Sequence, residues 1–151
     1  VEGSSMYPTL SDRERLFVNK LVYRFREPQR GEIIVFRYPA NPRKNFIKRV
    51  IGIPGDTVAV RSGQVFVNGV PLDEPYINEP MYGTYPTVVV PEDTVFVLGD
   101  NRNNSQDSRD RSVGFVPYKN IVGEAVVRYW PLTRISIVDS KGFKDPFGEE
   151  Q

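Results

Sequence analysis

The chain has 151 residues, 20 of them basic and 19 acidic, for a net charge of +1, and it contains neither Cys nor His. That length suits one ordinary domain that buries roughly two thirds of its unfolded surface, and the balanced charge leaves no electrostatic footprint for nucleic acid. Without Cys or His there is no Ser-His-Asp or Cys-His catalysis, no disulfide and no zinc site built from those ligands, and nothing in the pattern calls for a cofactor or metal.

In chain order, the polar run "EGSSMYPTL" at 2–10 comes first, with two adjacent serines before a Met. After it come runs rich in β-branched and aromatic residues with a period of two: 15–23, 32–38, 46–52, 57–60, 64–67, 87–90, 94–99 and 124–130. These predict strands. Pro54-Gly55-Asp56, Ser62-Gly63 and Asn68-Gly69 supply the turns between them. The 13 prolines argue against long helices. An all-β class of antiparallel hairpins is therefore expected, as one catalytic domain over 1–151. Within it, the irregular segment 62–92 reads as a small non-catalytic extension packed through its tyrosines.

Two stretches carry candidate chemistry. In "NFIKRVIGIPGD" the period of two places Lys48 with Phe46 and Val50. Facing inward among apolar neighbours, its ammonium would be disfavoured and its pKa lowered from about 10.4, leaving an amine able to take a proton from a hydroxyl. In the converse arrangement Arg49 faces inward and Lys48 meets solvent; the pattern alone leaves both open. The loop "LGDNRNNSQDSRD" at 98–110 leaves a strand end and is dense in carboxylates, arginines and asparagines. It is not an EF-hand, because Arg102 stands where a ligand oxygen is required. It reads either as solvated turn chemistry or as a fixed hydrogen-bond network.

Taken in order, "SSMYPTL", "RGEIIVF", "FIKRVIGIPGD" and "GDNRNNSQDSR" resemble the boxes of the bacterial type I signal peptidases, over Ser4 to about Tyr129. The resemblance implies the β-fold shared by those enzymes and the self-cleaving repressor peptidases. It matches Ser5 to the nucleophile and Lys48 to the general base of a Ser/Lys dyad that works through an acyl-enzyme. Ser105 matches a hydroxyl that orients the lysine amine, Asp107 and Arg109 a supporting charged pair, and Asp100, Asn101 and Arg102 the start of that loop. Gly3 stands where Gram-negative members have a serine that donates to the oxyanion, so the chain looks like the Gram-positive and related branch and its second donor is unassigned. Self-cleaving repressor peptidases share the Ser-Met pair and the lysine but lack the 99–109 loop. A non-catalytic β-rich binding module would make Ser5, Lys48 and Ser105 a coincidence.

The implied partners are preprotein signal peptides, cut after an Ala-x-Ala pattern, and a lipid surface. The peptide would bind as an added strand, with Val1, Gly3, Met6, Leu10, Phe46 and Ile47 as candidate substrate-binding residues. Tyr129, Trp130, Pro131 and Phe143 are candidates for an apolar edge at the membrane. The family's anchor would precede Val1 and hold the enzyme in the cytoplasmic or a thylakoid-type membrane, with the catalytic domain on the trans side. Oligomeric state is left open.

Overall fold

The β-branched runs form eleven strands in a computed structural model that describes residues 1–138 and Phe143. They are β1 (Arg15–Asn19), β2 (Ile33–Arg37), β3 (Asn45–Gly52), β4 (Thr57–Arg61), β5 (Gln64–Val67), β6 (Val70–Pro71), β7 (Tyr85–Val89), β8 (Thr94–Leu98), β9 (Val116–Pro117), β10 (Ile121–Trp130) and β11 (Ser136–Ile137). Three single turns of 3-10 helix are the only helical elements among the described residues, and none is long and apolar enough to cross a membrane. The all-β expectation holds. β1 stops at Asn19, short of the predicted 23, because the Asn19 side chain accepts the N–H groups of Leu21 and Val22 at 3.0 and 3.2 Å and turns the chain. β6, β9 and β11 have two residues each, too short to show a period.

All pairings are antiparallel. The larger sheet runs β1-β10-β2-β3-β8-β9 with β11 beside β10, and the smaller runs β6-β5-β4-β7. Two tight turns shape the smaller sheet. Ser62 and Gly63 have φ of 50° and 78°, and Asn68 and Gly69 have 51° and 80°, the left-handed pairs that two-residue hairpin loops of this type require. The small sheet begins at Thr57, upstream of the expected extension, because β4 pairs with β5 and β7 and with no strand of the larger sheet. Of the tyrosines in the irregular stretch, Tyr85 packs on Phe96 and Tyr76 lies over Arg49, whereas Tyr82 is exposed.

Adjacent residues of β3 enter different cores, as a pleat requires. Ile51 joins Phe96 and Leu98 against Val58, Val60, Val65 and Val67 of the small sheet, and Val50 joins Ile34, Phe36, Val95 and Val97. One feature of β3 positions the site. β2 pairs with it along Asn45–Arg49, but β8 pairs with it only from Arg49 onward, so residues 45–48 keep one open edge.

Candidate active site

The polar N-terminal run is pinned by its two apolar residues. Met6 and Leu10 are buried with Ile33 and Ala125, while Ser4, Ser5 and Tyr7 lie toward the surface. Hydrogen bonds close the segment on itself, from Tyr7 N–H to Ser4 O at 3.1 Å and from Leu10 N–H to Met6 O at 2.9 Å. Asn101 ties it to the loop after β8: its N–H donates to Ser5 O at 2.8 Å and its amide to Ser4 O at 2.9 Å. Asn104 donates to Ser4 Oγ at 2.9 Å.

This anchoring brings Ser5 to the face of β3 that carries Lys48. Lys48 Nζ donates to Ser5 Oγ at 2.7 Å, and the lysine is only 4% exposed. Burial pushes its pKa down from 10.5 to about 8, against the pull of the Asp107 and Asp100 carboxylates. Arg49, on the opposite face, is buried as well, at 1% exposure. Its Nε and Nη2 donate to Asp100 at 2.9 and 2.8 Å, and its Nη1 to Gly31 O at 2.9 Å. Neither one-in, one-out arrangement is therefore realised. Both faces of β3 are covered, one by the Ser5 segment and the other by Asp100 and Tyr76, and each cation finds partners on its own side.

The 98–110 loop is the fixed network rather than a solvated turn. Asp100 accepts from Thr9 Oγ1 at 2.5 Å in addition to Arg49, and its N–H points at Met6 Sδ, 3.4 Å away. Asp107 accepts from Gly99 N–H at 3.0 Å and from Arg109 Nε and Nη2 at 2.8 and 2.7 Å. Arg102 Nε donates to Gly99 O at 2.8 Å, and Arg109 Nη2 to Arg102 O at 2.8 Å. Gly99 lies where the loop meets Ser5. A Cβ there would stand 2.1 Å from Ser105 Oγ and 2.6 Å from Ser5 O, so a larger residue would push the two segments apart. The expected bond between Ser105 and the lysine amine is not formed: Ser105 Oγ is buried without a hydrogen-bond partner, held over Gly99, and the amine donates to Ser5.

A cleft of about 730 Å³ opens beside Ser5 and Lys48, with Val1, Met6, Phe46 and Ile47 on its walls. Leu10 and Gly3 are not on them. Leu10 packs beneath with Ile33 and Ala125, and the Gly3 N–H is committed to Asp12 Oδ1 at 2.9 Å. Tyr38, not among the candidate substrate-binding residues, stacks on Phe46 with ring centroids 4.3 Å apart and accepts from Gln106 at 2.9 Å. Its only sequence signal is position: it follows β2 directly, and Phe46 opposite Phe36 leads the return strand.

Away from the cleft, the register aligns Phe17, Val127 and Ile137 across β1, β10 and β11. Directly paired residues share a face, and this face is apolar and open, with Phe17 59% and Ile137 75% exposed. Tyr129 joins it by packing on Phe17, ring centroids 4.5 Å apart and planes tilted by 33°, and Trp130 lies at its end, 46% exposed under Arg15. Phe143 does not belong to this edge. It packs against Tyr76 and over Gly31, because Gly31 has no side chain to fill that space.

A family model described as "Signal peptidase, peptidase S26" matches residues 1–130. The chain is 50% identical over 143 residues to a "Probable signal peptidase I-2" of Synechocystis sp., covering 91% of this chain and 65% of that protein. It is 40% identical over 146 residues to "Thylakoidal processing peptidase 1, chloroplastic" of Arabidopsis thaliana, covering 90% of this chain and 42% of that protein. The chain thus spans less than two thirds of the length of both relatives. Among solved structures, a signal peptidase I from Enterococcus faecalis V583 superposes with a TM-score of 0.58 at 38% identity, over 64% of this chain and 95% of the other. A match that takes in the Ser5 segment, β3 and the whole 98–110 loop bears out the motif resemblance, and the chain belongs to the signal peptidase family, peptidase S26.

Proposed function

We propose that this chain removes N-terminal signal peptides from preproteins by Ser/Lys catalysis, as one catalytic domain. The 2.7 Å contact between Ser5 Oγ and a buried Lys48 amine carries the reading. With its pKa near 8, the amine is about one tenth neutral at pH 7. In that form it takes the Ser5 proton as Oγ attacks the scissile carbonyl. It then passes the proton to the leaving amine, and a water attacks the acyl-enzyme with Lys48 again as base. The Ser5 N–H donates to no acceptor among the described residues, which suits an oxyanion donor. Asp107, Arg109, Asp100, Asn101 and Arg102 hold the loop against Ser5, and Ser105 sits beside it.

The open edge of residues 45–48 suits a substrate added as a strand, and small side chains at its inward positions would fit between Met6 and Ile47. Cleavage of an Ala-x-Ala peptide, read by mass spectrometry across pH, tests this. Activity should climb tenfold per pH unit below about pH 8 and level off above it, because only the deprotonated amine is a base. No cut after the small residue, or a rate flat from pH 6 to 9, would remove the dyad reading.

The face of exposed Phe17 and Ile137 with half-buried Tyr129 suits contact with a lipid surface next to the site of cleavage. Trp130 is the chain's single tryptophan and lies at that edge. Its fluorescence should shift to the blue when phospholipid vesicles are added, and Phe17→Ser with Ile137→Ser should remove the shift. An unchanged spectrum would count against this surface.

A further inference from the structure

The small sheet's irregular segment grips the catalytic loop at two points. Glu74 receives both terminal nitrogens of Arg102, Nη1 at 2.7 Å and Nη2 at 2.5 Å, and also Tyr76 Oη at 2.5 Å. Both members of the ion pair are buried. A two-bond fork fixes orientation as well as distance. The Tyr76 ring lies over the guanidinium carbons of Arg49 at 4.0 Å and Arg102 at 5.9 Å, so one aromatic face bridges the two cations that brace the loop. Further out, Asn103 donates to Glu79 Oε1 and Pro80 O, each at 3.0 Å, and accepts from Tyr82 N–H at 2.7 Å. From Arg102 the hold passes inward through Gly99 O, and Gly99 N–H in turn meets Asp107.

Neither Glu74 nor Tyr76 touches Ser5 or Lys48, and neither is part of the motifs that carried the family resemblance. We propose that Glu74 and Tyr76 are positioning residues: by clamping Arg102 they hold the 99–109 loop, and with it Asp100 and Asp107, at a fixed distance from the Lys48 amine. The extension is then part of the catalytic machinery rather than a non-catalytic appendage. The inference rests on the Ser/Lys reading of the site.

The charged groups around that amine are few. Asp100 and Asp107 act on it from the loop, each neutralised on its far side by Arg49 or Arg109, with Arg102 and Glu74 behind. Glu2 from the N-terminal segment and Arg43 and Lys44 ahead of β3 line the same cleft. Loosening the clamp withdraws the two carboxylates that hold the amine's proton on, and Glu74→Gln also leaves the Arg102 charge uncompensated. Both effects lower the pH at which Lys48 deprotonates.

The test uses Glu74→Gln and Tyr76→Phe in the whole chain, the second keeping the ring over Arg49 and losing only the bond to Glu74. Peptide cleavage across pH is measured beside a carbon-13 NMR titration of the Lys48 side chain, which needs no activity. For Glu74→Gln, kcat should fall about ten- to a hundredfold with KM nearly unchanged, the scale of a misplacement remote from the chemistry, and the Lys48 titration and the acid limb should move to lower pH together. Tyr76→Phe should show the same changes in smaller measure, and it stands as the deciding variant if Glu74→Gln does not fold. A lower melting temperature with the Lys48 titration and kcat of the folded protein unaltered overturns the clamp. A parent protein whose Lys48 titrates normally but which cuts nothing defeats the dyad reading instead, and the NMR shift in the variants still decides the clamp.

Discussion

Replacing Lys48 by Met should abolish cleavage and at the same time raise stability. Loss of the base is expected to cost at least about 10²- to 10⁴-fold in rate, and Ser5→Ala, which removes the atom that would carry the acyl group, should cost about as much or more. The stability effect has the opposite sign because the lysine is held among Ile47, Phe46 and the Ser5 segment with a pKa of about 8 instead of 10.5. One pKa unit is worth about 1.36 kcal/mol, so a protonated Lys48 costs the fold about 3 kcal/mol. Between the two values the unfolded chain binds more protons than the folded one, so the parent gains stability as pH rises from about 8 to 10.5. Below pH 8 the penalty is present in full, and above 10.5 it has gone. Urea melts should therefore find Lys48→Met more stable than the parent at pH 6.5 and equal to it near pH 10.5. A variant less stable at pH 6.5 would mean that the folded protein does not disfavour the ammonium.

Asp100→Asn should produce the largest loss of stability of any single change at the site. The substitution keeps the shape of the side chain but removes its charge and one of its two acceptor oxygens, leaving the Arg49 charge in the interior without a counter-ion, held only by one amide oxygen, Gly31 O and the Tyr76 ring. Breaking a buried pair from one side costs about 3–5 kcal/mol, a large share of the roughly 5–15 kcal/mol that holds a domain together. Arg49→Met combined with Asp100→Leu, which removes both charges, should recover most of that loss and still leave the enzyme slow, because Thr9 then lacks its acceptor and the Ser5 segment loses that tie to the loop. Urea midpoints for the single and double variants give the coupling directly. A single variant within 1 kcal/mol of the parent would show that water or a rearrangement serves Arg49 in place of Asp100.

What the sequence determined by itself was the part governed by neighbours along the chain. The β-branched and aromatic content of β3, β4 and β8, and the left-handed turn pairs at 62–63 and 68–69, are set within a few residues, so the strands and the all-β class were legible. So was the family, because its motifs are local strings; the wording around Ser5, Lys48 and Ser105 survives without any knowledge of what packs where. Only the tertiary structure decided burial. A period of two says that Lys48 and Arg49 face opposite ways, but not whether either face is covered, and here both are. The same holds for Leu10, which lies under the cleft instead of in its wall, for Phe143, which fills the space above Gly31, and for Glu74, which finds Arg102 from 28 residues away. Each of these depends on which element packs against which. Desolvation and ion pairing act through space, so the pKa of Lys48 and the grip on its loop are properties of the folded chain, and no window of sequence contains them.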